Sequence, residues 1–287
     1  MNDYDVIIIG AGCGGLSSGA LLSNQGRKVL VIEQSEQVGG CCSTFEKQGY
    51  KIDIGASIIE FPQVIDLCFK RMGTSFYDEV DLIPVDPTFS AILHDGSKIT
   101  YPISLEETRK QIEKISPKDA KGWEEYSKKI QGFLDAALEG FFVSPAGNLT
   151  DVIKLFAKTP ALLKYNRLFF SSYEGIMRKY FKNEKILESF SFHNYLADTY
   201  LLGLKDHVVL SELSTPVDFE KRLRSPEGAI YALRQDLPHS MMFRPSAKSR
   251  HIKGLYLVGA STHPGGGVPT VIASGMIVAD LIEKYEK

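Results

Sequence analysis

The chain has 287 residues, of which 44% are hydrophobic and 24% charged, enough for one large domain or two ordinary ones around a real core. Its formal net charge of −2, with no lysine- or arginine-rich run, gives no electrostatic reason to bind nucleic acid. Four cysteines (Cys13, Cys41, Cys42, Cys68) include no CxxC pair, and a bond between adjacent Cys41 and Cys42 would be strained, so neither a disulfide framework nor a metal site is expected.

A strand-like run starts at Val6, so close to Met1 that no signal peptide fits before it, and a cytoplasmic protein is expected. The richest apolar stretch, Val6 to Leu22, is broken by glycines and serines and is not a membrane span. Asp5 to Gly10 predicts a strand buried on both faces, Leu16 to Gln25 a helix ending at Gly26, and Lys28 to Glu33 a second strand. After Gly39-Gly40 a pair of strands is predicted, Tyr50 to Gly55 being the clearer, with a turn at His94-Asp-Gly-Ser97 further on. From Ser104 to about Asn194 the apolar spacing is helical, with Pro117 near a helix start and breaks at Pro145 and Pro160. Gly254 to Gly259 predicts another buried strand and Thr270 to Glu283 another helix, so the two ends of the chain are expected to share one sheet.

Gly10-Ala-Gly12-Cys13-Gly14-Gly15 fits GxGxxG between a strand and a helix. In that setting the first glycine makes the tight turn, the second admits a pyrophosphate against the backbone, and the third lets helix pack on strand. The helix N-terminus then offers unpaired N–H groups and a positive dipole end to phosphate. Glu33 closes the second strand, where a carboxylate can accept hydrogen bonds from ribose hydroxyls. The doublet Gly39-Gly40, followed by Cys41, favours FAD over NAD, since flavoproteins of the glutathione-reductase-like class often carry such a pair after the ribose carboxylate. At the other end, Gly259-Ala260-Ser-Thr-His-Pro-Gly-Gly-Gly-Val268-Pro269 lets main chain lie against a flat ring, with a helix N-terminus able to stabilise negative charge on it.

These segments, together with Phe192-His193 and Thr215-Pro-Val-Asp-Phe219, resemble the phytoene desaturase group of carotenoid-processing flavoenzymes, within the FAD-linked amine oxidase-like superfamily. The resemblance implies an α/β fold: a Rossmann-like FAD-binding domain of glutathione-reductase type (1–60 and 200–287) with an inserted α+β, mainly helical substrate region (61–199). It implies dehydrogenation of a hydrophobic isoprenoid such as phytoene by hydride transfer to flavin, with Gly10, Gly12, Gly15, Glu33, Gly40 and Gly259 carried over as FAD contacts. Cys13, Gly14, Gly39, Cys41, Ala260 and Val268 join them as expected cofactor neighbours. Two departures stand out. Cys41 occupies a place where many members have arginine, and a long segment between about Asn194 and Thr199 is missing. The alternative reading is therefore a non-catalytic or minimised nucleotide-binding remnant; a weaker third is an NAD(P)-linked reductase using the N-terminal motif alone.

Leu149 to Phe170 sets large apolar residues beside Lys154, Lys158, Lys164 and Arg167, a composition suited to resting on an anionic membrane, although two packed helices with solvated lysines explain it more simply. Glu174 and Arg178 read as a surface ion pair rather than an acid/base pair. Of the scattered histidines His193, His207, His239 and His263, only His263 lies in a loop expected near flavin, and no catalytic base is assigned.

Overall fold

The computed structural model describes residues 3–53, 59, 61–191, 220, 221, 224 and 241–286, so the motifs at Phe192-His193 and Thr215 to Phe219, and His207 and His239, lie outside the described residues. The chain forms two compact units, the first made of Met1–Asp81, Ala136–Leu163 and Ser214–Lys287, the second of Leu82–Asp135 and Lys164–Leu213.

The first unit opens with strand β1 (Val6–Ile9), helix α1 (Cys13–Asn24) and strand β2 (Val29–Ile32). β1 and β2 pair in parallel, Val6 opposite Val29 through Ile9 opposite Ile32. A hairpin of β3 (Thr44–Lys47) and β4 (Tyr50–Asp53) follows, as the strand signals after the glycine doublet predict. Helices α2 (Pro62–Arg71) and α3 (Phe76–Glu79) come next, tied by buried Asp66, which accepts from Ser75 Oγ at 2.8 Å and the Phe76 amide at 3.0 Å.

The second unit starts with the hairpin β5 (Phe89–Ile92) and β6 (Lys98–Tyr101), closed through the predicted His94 to Ser97 turn. Helix α4 (Leu105–Ile115) begins at Ser104, whose hydroxyl accepts from the Glu107 amide, and α5 (Pro117–Glu139) begins at Pro117. Helix α6 (Leu149–Lys158) belongs to the first unit, while α7 (Asn166–Phe170), α8 (Tyr173–Tyr180) and α9 (Glu184–Ser191) return to the second. Ile112, Phe181, Ile186 and Phe190 fill the second unit's core with the hairpin residues Ala91, Ile99 and Tyr101. Phe89 stacks on Tyr101 with ring centroids 4.5 Å apart. The expected surface pair is there: Arg178 meets Glu174 at 2.7 Å and also Glu184 at 2.8 Å, all three exposed.

Helix α10 (Val268–Tyr285) completes the first unit by crossing α1. The crossing is possible because Gly275 has no side chain: a β-carbon there would stand 2.0 Å from Ser17 Oγ and 2.9 Å from the Gly14 carbonyl oxygen. Small residues allow a backbone approach that leucine-faced helices cannot make.

Three expectations need correction. α1 starts at Cys13 rather than Leu16, because Gly14 and Gly15 are themselves helical and serve as its contact face. β1 is not buried on both faces: Ile8 is, but Ile7 is 59% and Ile9 87% exposed, since among the described residues β2 is its only ladder partner. Gly254 to Gly259 is no buried strand but a chain making one bridge, Lys248 to Tyr256, with Leu255 and Leu257 about 40% exposed. The ends of the chain therefore join helix to helix instead of through a shared sheet, as far as the described residues go.

Candidate functional site

The turn from β1 into α1 is built by backbone. The Gly10 amide donates to the Ile32 carbonyl at 2.7 Å, with φ of +100° that a side chain would resist. Gly15 packs so closely on the turn that a β-carbon would lie 2.1 Å from the Gly10 carbonyl oxygen. Gly12 and Gly10 face open space, and no side chain caps the first-turn amides of α1.

Gly39 and Gly40 form the opposite wall. The Gly39 amide donates to the Ala11 carbonyl at 2.8 Å, Gly12 and Gly39 bridge in parallel, and a β-carbon on Gly40 would come to 3.3 Å from the Gly12 α-carbon. Cys13 is the first residue of α1 and Cys41 the middle of the 3₁₀ turn Gly40–Cys42. The third wall is the C-terminal segment, since a β-carbon on Gly14 would meet Val258 at 3.1 Å and the Gly259 α-carbon at 3.3 Å.

Glu33 does more than was expected of it. Its Oε2 accepts from the Ala11 amide at 2.6 Å and its Oε1 from the Gln34 and Ser35 amides at 2.8 and 2.9 Å. The Ala11 bond above all, then those from Ser35, hold its carboxyl below the usual carboxylate range, so it stays ionised. A carboxylate has about four acceptor positions, and three amides leave one for a ribose hydroxyl.

Ser274, at the buried face of α10, accepts from the Gly259 amide at 2.9 Å, and Thr262 donates to the Gly259 carbonyl at 2.9 Å. Ala260 follows, its carbonyl held by Arg244 Nη1 at 2.8 Å, and Val268 opens α10 two turns before Gly275. Arg244 is only 4% exposed and lies along Gly265, whose φ of +134° lets the loop pass it. Sequence reasoning missed Arg244 because nothing local marks it: the Ala260 carbonyl that it holds is 16 residues away. The structure thus gathers Gly10, Gly12, Cys13, Gly14, Gly15, Glu33, Gly39, Gly40 and Gly259 around one cradle, with Ala260 just beyond it.

His263 is buried, with Nε2 2.9 Å from the Phe141 carbonyl and Nδ1 without a hydrogen-bond partner among the described residues. Burial, aided by nearby Arg244, pushes its imidazolium down to about 4. Because the folded value lies below the ordinary 6.5, its contribution to stability is complete above pH 6.5 and is lost as pH falls toward 4 and below. Unfolding titrations should show a loss of about 3 kcal/mol across that window, which His263→Gln flattens. His263 also borders a hollow of about 190 Å³ lined by Asn148, Lys248 and Tyr285 among others. None of the glycines of the Gly10 to Gly15 loop lines it, and it is smaller than the roughly 300–1,000 Å³ of small-molecule pockets.

Known proteins match at both ends of this geometry. The family model for an NAD(P)-binding Rossmann-like domain covers residues 8–68, and that for flavin containing amine oxidoreductase covers 221–283. The chain is 26% identical over 238 residues to a 4,4'-diapolycopene oxygenase of Methylomonas sp, covering 82% of this chain and 47% of that one. It is 26% identical to a carotenoid 3,4-desaturase of Haloarcula japonica (81% and 46% covered) and 29% identical to a neurosporene-forming phytoene desaturase of Cereibacter sphaeroides (65% and 35%). The chain is thus similar to carotenoid desaturases and oxygenases and carries a match to a flavin containing amine oxidoreductase model at its C-terminal end. The chain spans less than half the length of each of those three proteins. Among its described residues, no helix is long and apolar enough to cross a membrane.

Proposed function

We propose that this chain binds FAD in the cradle between Gly12, Gly40 and Gly259 and works as an FAD-dependent desaturase on a hydrophobic isoprenoid such as phytoene. The observation that carries the reading is the uncapped start of α1 opening onto a glycine-walled gap, with an ionised carboxylate at the end of β2. That donor set fits the group: a helix start that no side chain caps suits a pyrophosphate, and Glu33 keeps one acceptor position for a ribose hydroxyl. FAD, when bound, supplies the electron sink for hydride removal. The chain's own work is to bind and orient. The α1 amides hold phosphate, Glu33 holds both its loop and the ribose, and the Gly259 to Gly267 loop lays main chain beside a flat ring. The start of α10 adds a positive dipole end there.

The glutathione-reductase-like topology, with residues 1–60 and 200–287 as the FAD domain and 61–199 as an inserted substrate region, is part of the same proposal. So is peripheral membrane contact through 149–170, supported by Leu149 and Ile153, each about 60% exposed, beside Lys154 and Lys158 on α6.

The test is visible absorption of the purified protein after incubation with FAD and removal of excess, followed by anaerobic addition of a polyene such as phytoene. Retention near one FAD per chain, weakened about tenfold by Glu33→Gln, with bleaching by the polyene, is the expected result. No retention sinks the cofactor reading; retention without bleaching assigns the remnant reading instead.

A further inference from the structure

We propose that Cys13 and Cys42 are a redox-active dithiol whose disulfide shuts the cradle. The two residues come from opposite walls: Cys13 is the first residue of α1, and Cys42 ends the 3₁₀ turn that Gly39 and Gly40 begin. The walls are held face to face by the Gly39 to Ala11 hydrogen bond and the close approach of Gly40 to Gly12. Across that junction each thiol shifts the ionisation of the other. Both are half-buried rather than sealed, so a small oxidant reaches them.

The pair is also chemically unequal. The neighbouring Cys42 thiol is the main reason the Cys13 thiol lies below its usual range, while Cys13, with burial, raises Cys42. Cys13 also stands at a helix N-terminus, a setting that favours thiolate. Pairings of Cys42 with Cys41, or of either thiol with Cys68, are poorer. Adjacent Cys41 and Cys42 would form a strained ring, and Cys68 is buried on α2 with its thiol pushed up to about 11.

The oxidant is a hydroperoxide. Cys13 sulfur attacks the peroxide, the O–O bond breaks, and the products are a sulfenic acid and, after protonation, an alcohol or water. Cys42 sulfur then attacks the Cys13 sulfur, the S–O bond breaks, and the hydroxyl departs as water with the Cys42 proton. The thiol pair loses two electrons and two protons, and the peroxide gains them. The new bond draws the sulfurs to ~2.0 Å and fastens the glycine doublet onto the start of α1, where phosphate has to enter.

The effect on FAD rests on the function proposed above; the cross-link does not, and the experiment separates them. Full-length protein, reduced and then treated with hydrogen peroxide, is alkylated, digested without reductant and mapped by mass spectrometry. The expected product joins the peptide containing Cys13 to the one containing Cys42, forms also in Cys41→Ser, and is absent from Cys42→Ser. FAD uptake by the oxidised protein should fall about tenfold or more and return with dithiothreitol, while uptake by Cys42→Ser ignores peroxide. A Cys41–Cys42 product, a link that persists in Cys42→Ser, or over-oxidised Cys13 with no link overturns the proposal. If the reduced protein takes up no FAD, the cofactor reading fails and the cross-link map alone decides whether the dithiol exists.

Discussion

Gly15→Ala is expected to abolish FAD uptake and lower the unfolding free energy by about 3 kcal/mol, a large part of the roughly 5–15 kcal/mol that a domain has. Gly15 is helical, so in an open helix alanine would be favoured by about 1 kcal/mol. Here the added carbon stands 2.1 Å from the Gly10 carbonyl oxygen, and both sides of that clash are backbone in the turn that defines the cradle. The turn has to open, and the clash outweighs the propensity gain. Gly19→Ala is the control: on the same helix, its new carbon meets chiefly the end of the Ile8 side chain at 3.1 Å, which can swing aside. Denaturant melts and FAD titrations on both variants check the argument; equal effects from the two would refute it.

The second large effect is expected at Asp119, whose side chain is fully buried in the second unit. It accepts from the Lys182 amide at 3.0 Å through both oxygens and from the Asn183 amide at 2.7 Å, and so caps the start of α9 from 63 and 64 residues upstream of those amides. Asp119→Ala leaves the two part-buried N–H groups of Lys182 and Asn183 without their acceptor and costs about 2 kcal/mol, whereas Asp119→Asn keeps one acceptor oxygen and loses less. Trp123, the one tryptophan in the sequence, stacks against Phe190 of α9 at 6.1 Å. Its fluorescence reads this unit directly, and the alanine variant should shift that transition to lower denaturant. An unmoved tryptophan transition would show that α9 does not depend on the cap.

What the sequence made legible was what short-range chemistry writes into it. Alternating and branched runs between glycines marked β1, β2 and the β3–β4 hairpin; Pro117 marked the start of α5; the GxGxxG spacing marked the turn that the Gly10 and Gly15 geometry requires. What stayed hidden depends on partners far along the chain. Leu255 to Val258 has the composition of a buried strand, but composition cannot say whether a neighbouring strand is present to pair with it. The same ignorance made β1 look buried when Ile9 is nearly bare. Arg244 beneath the Ala260 carbonyl and the thiol pair across the cradle are contacts between segments whose local patterns carry no trace of each other. Glu33 was legible by position but not by role, because its bond back to Ala11 follows from how tightly the turn closes.

The crossing of α1 and α10 also has a temporal side. Ser17 donates to the carbonyl of Ile272, 255 positions later, and Leu21 and Leu22 are covered in the same unit as Ala273, Met276 and Ile277. At ribosomal rates of roughly 5–20 residues per second, α1 waits tens of seconds before its partner helix is made. Its apolar face must be sheltered through that interval, which makes the nascent chain a client for holding chaperones. A contact of this sequence separation also places the α1–α10 crossing among the last events of folding.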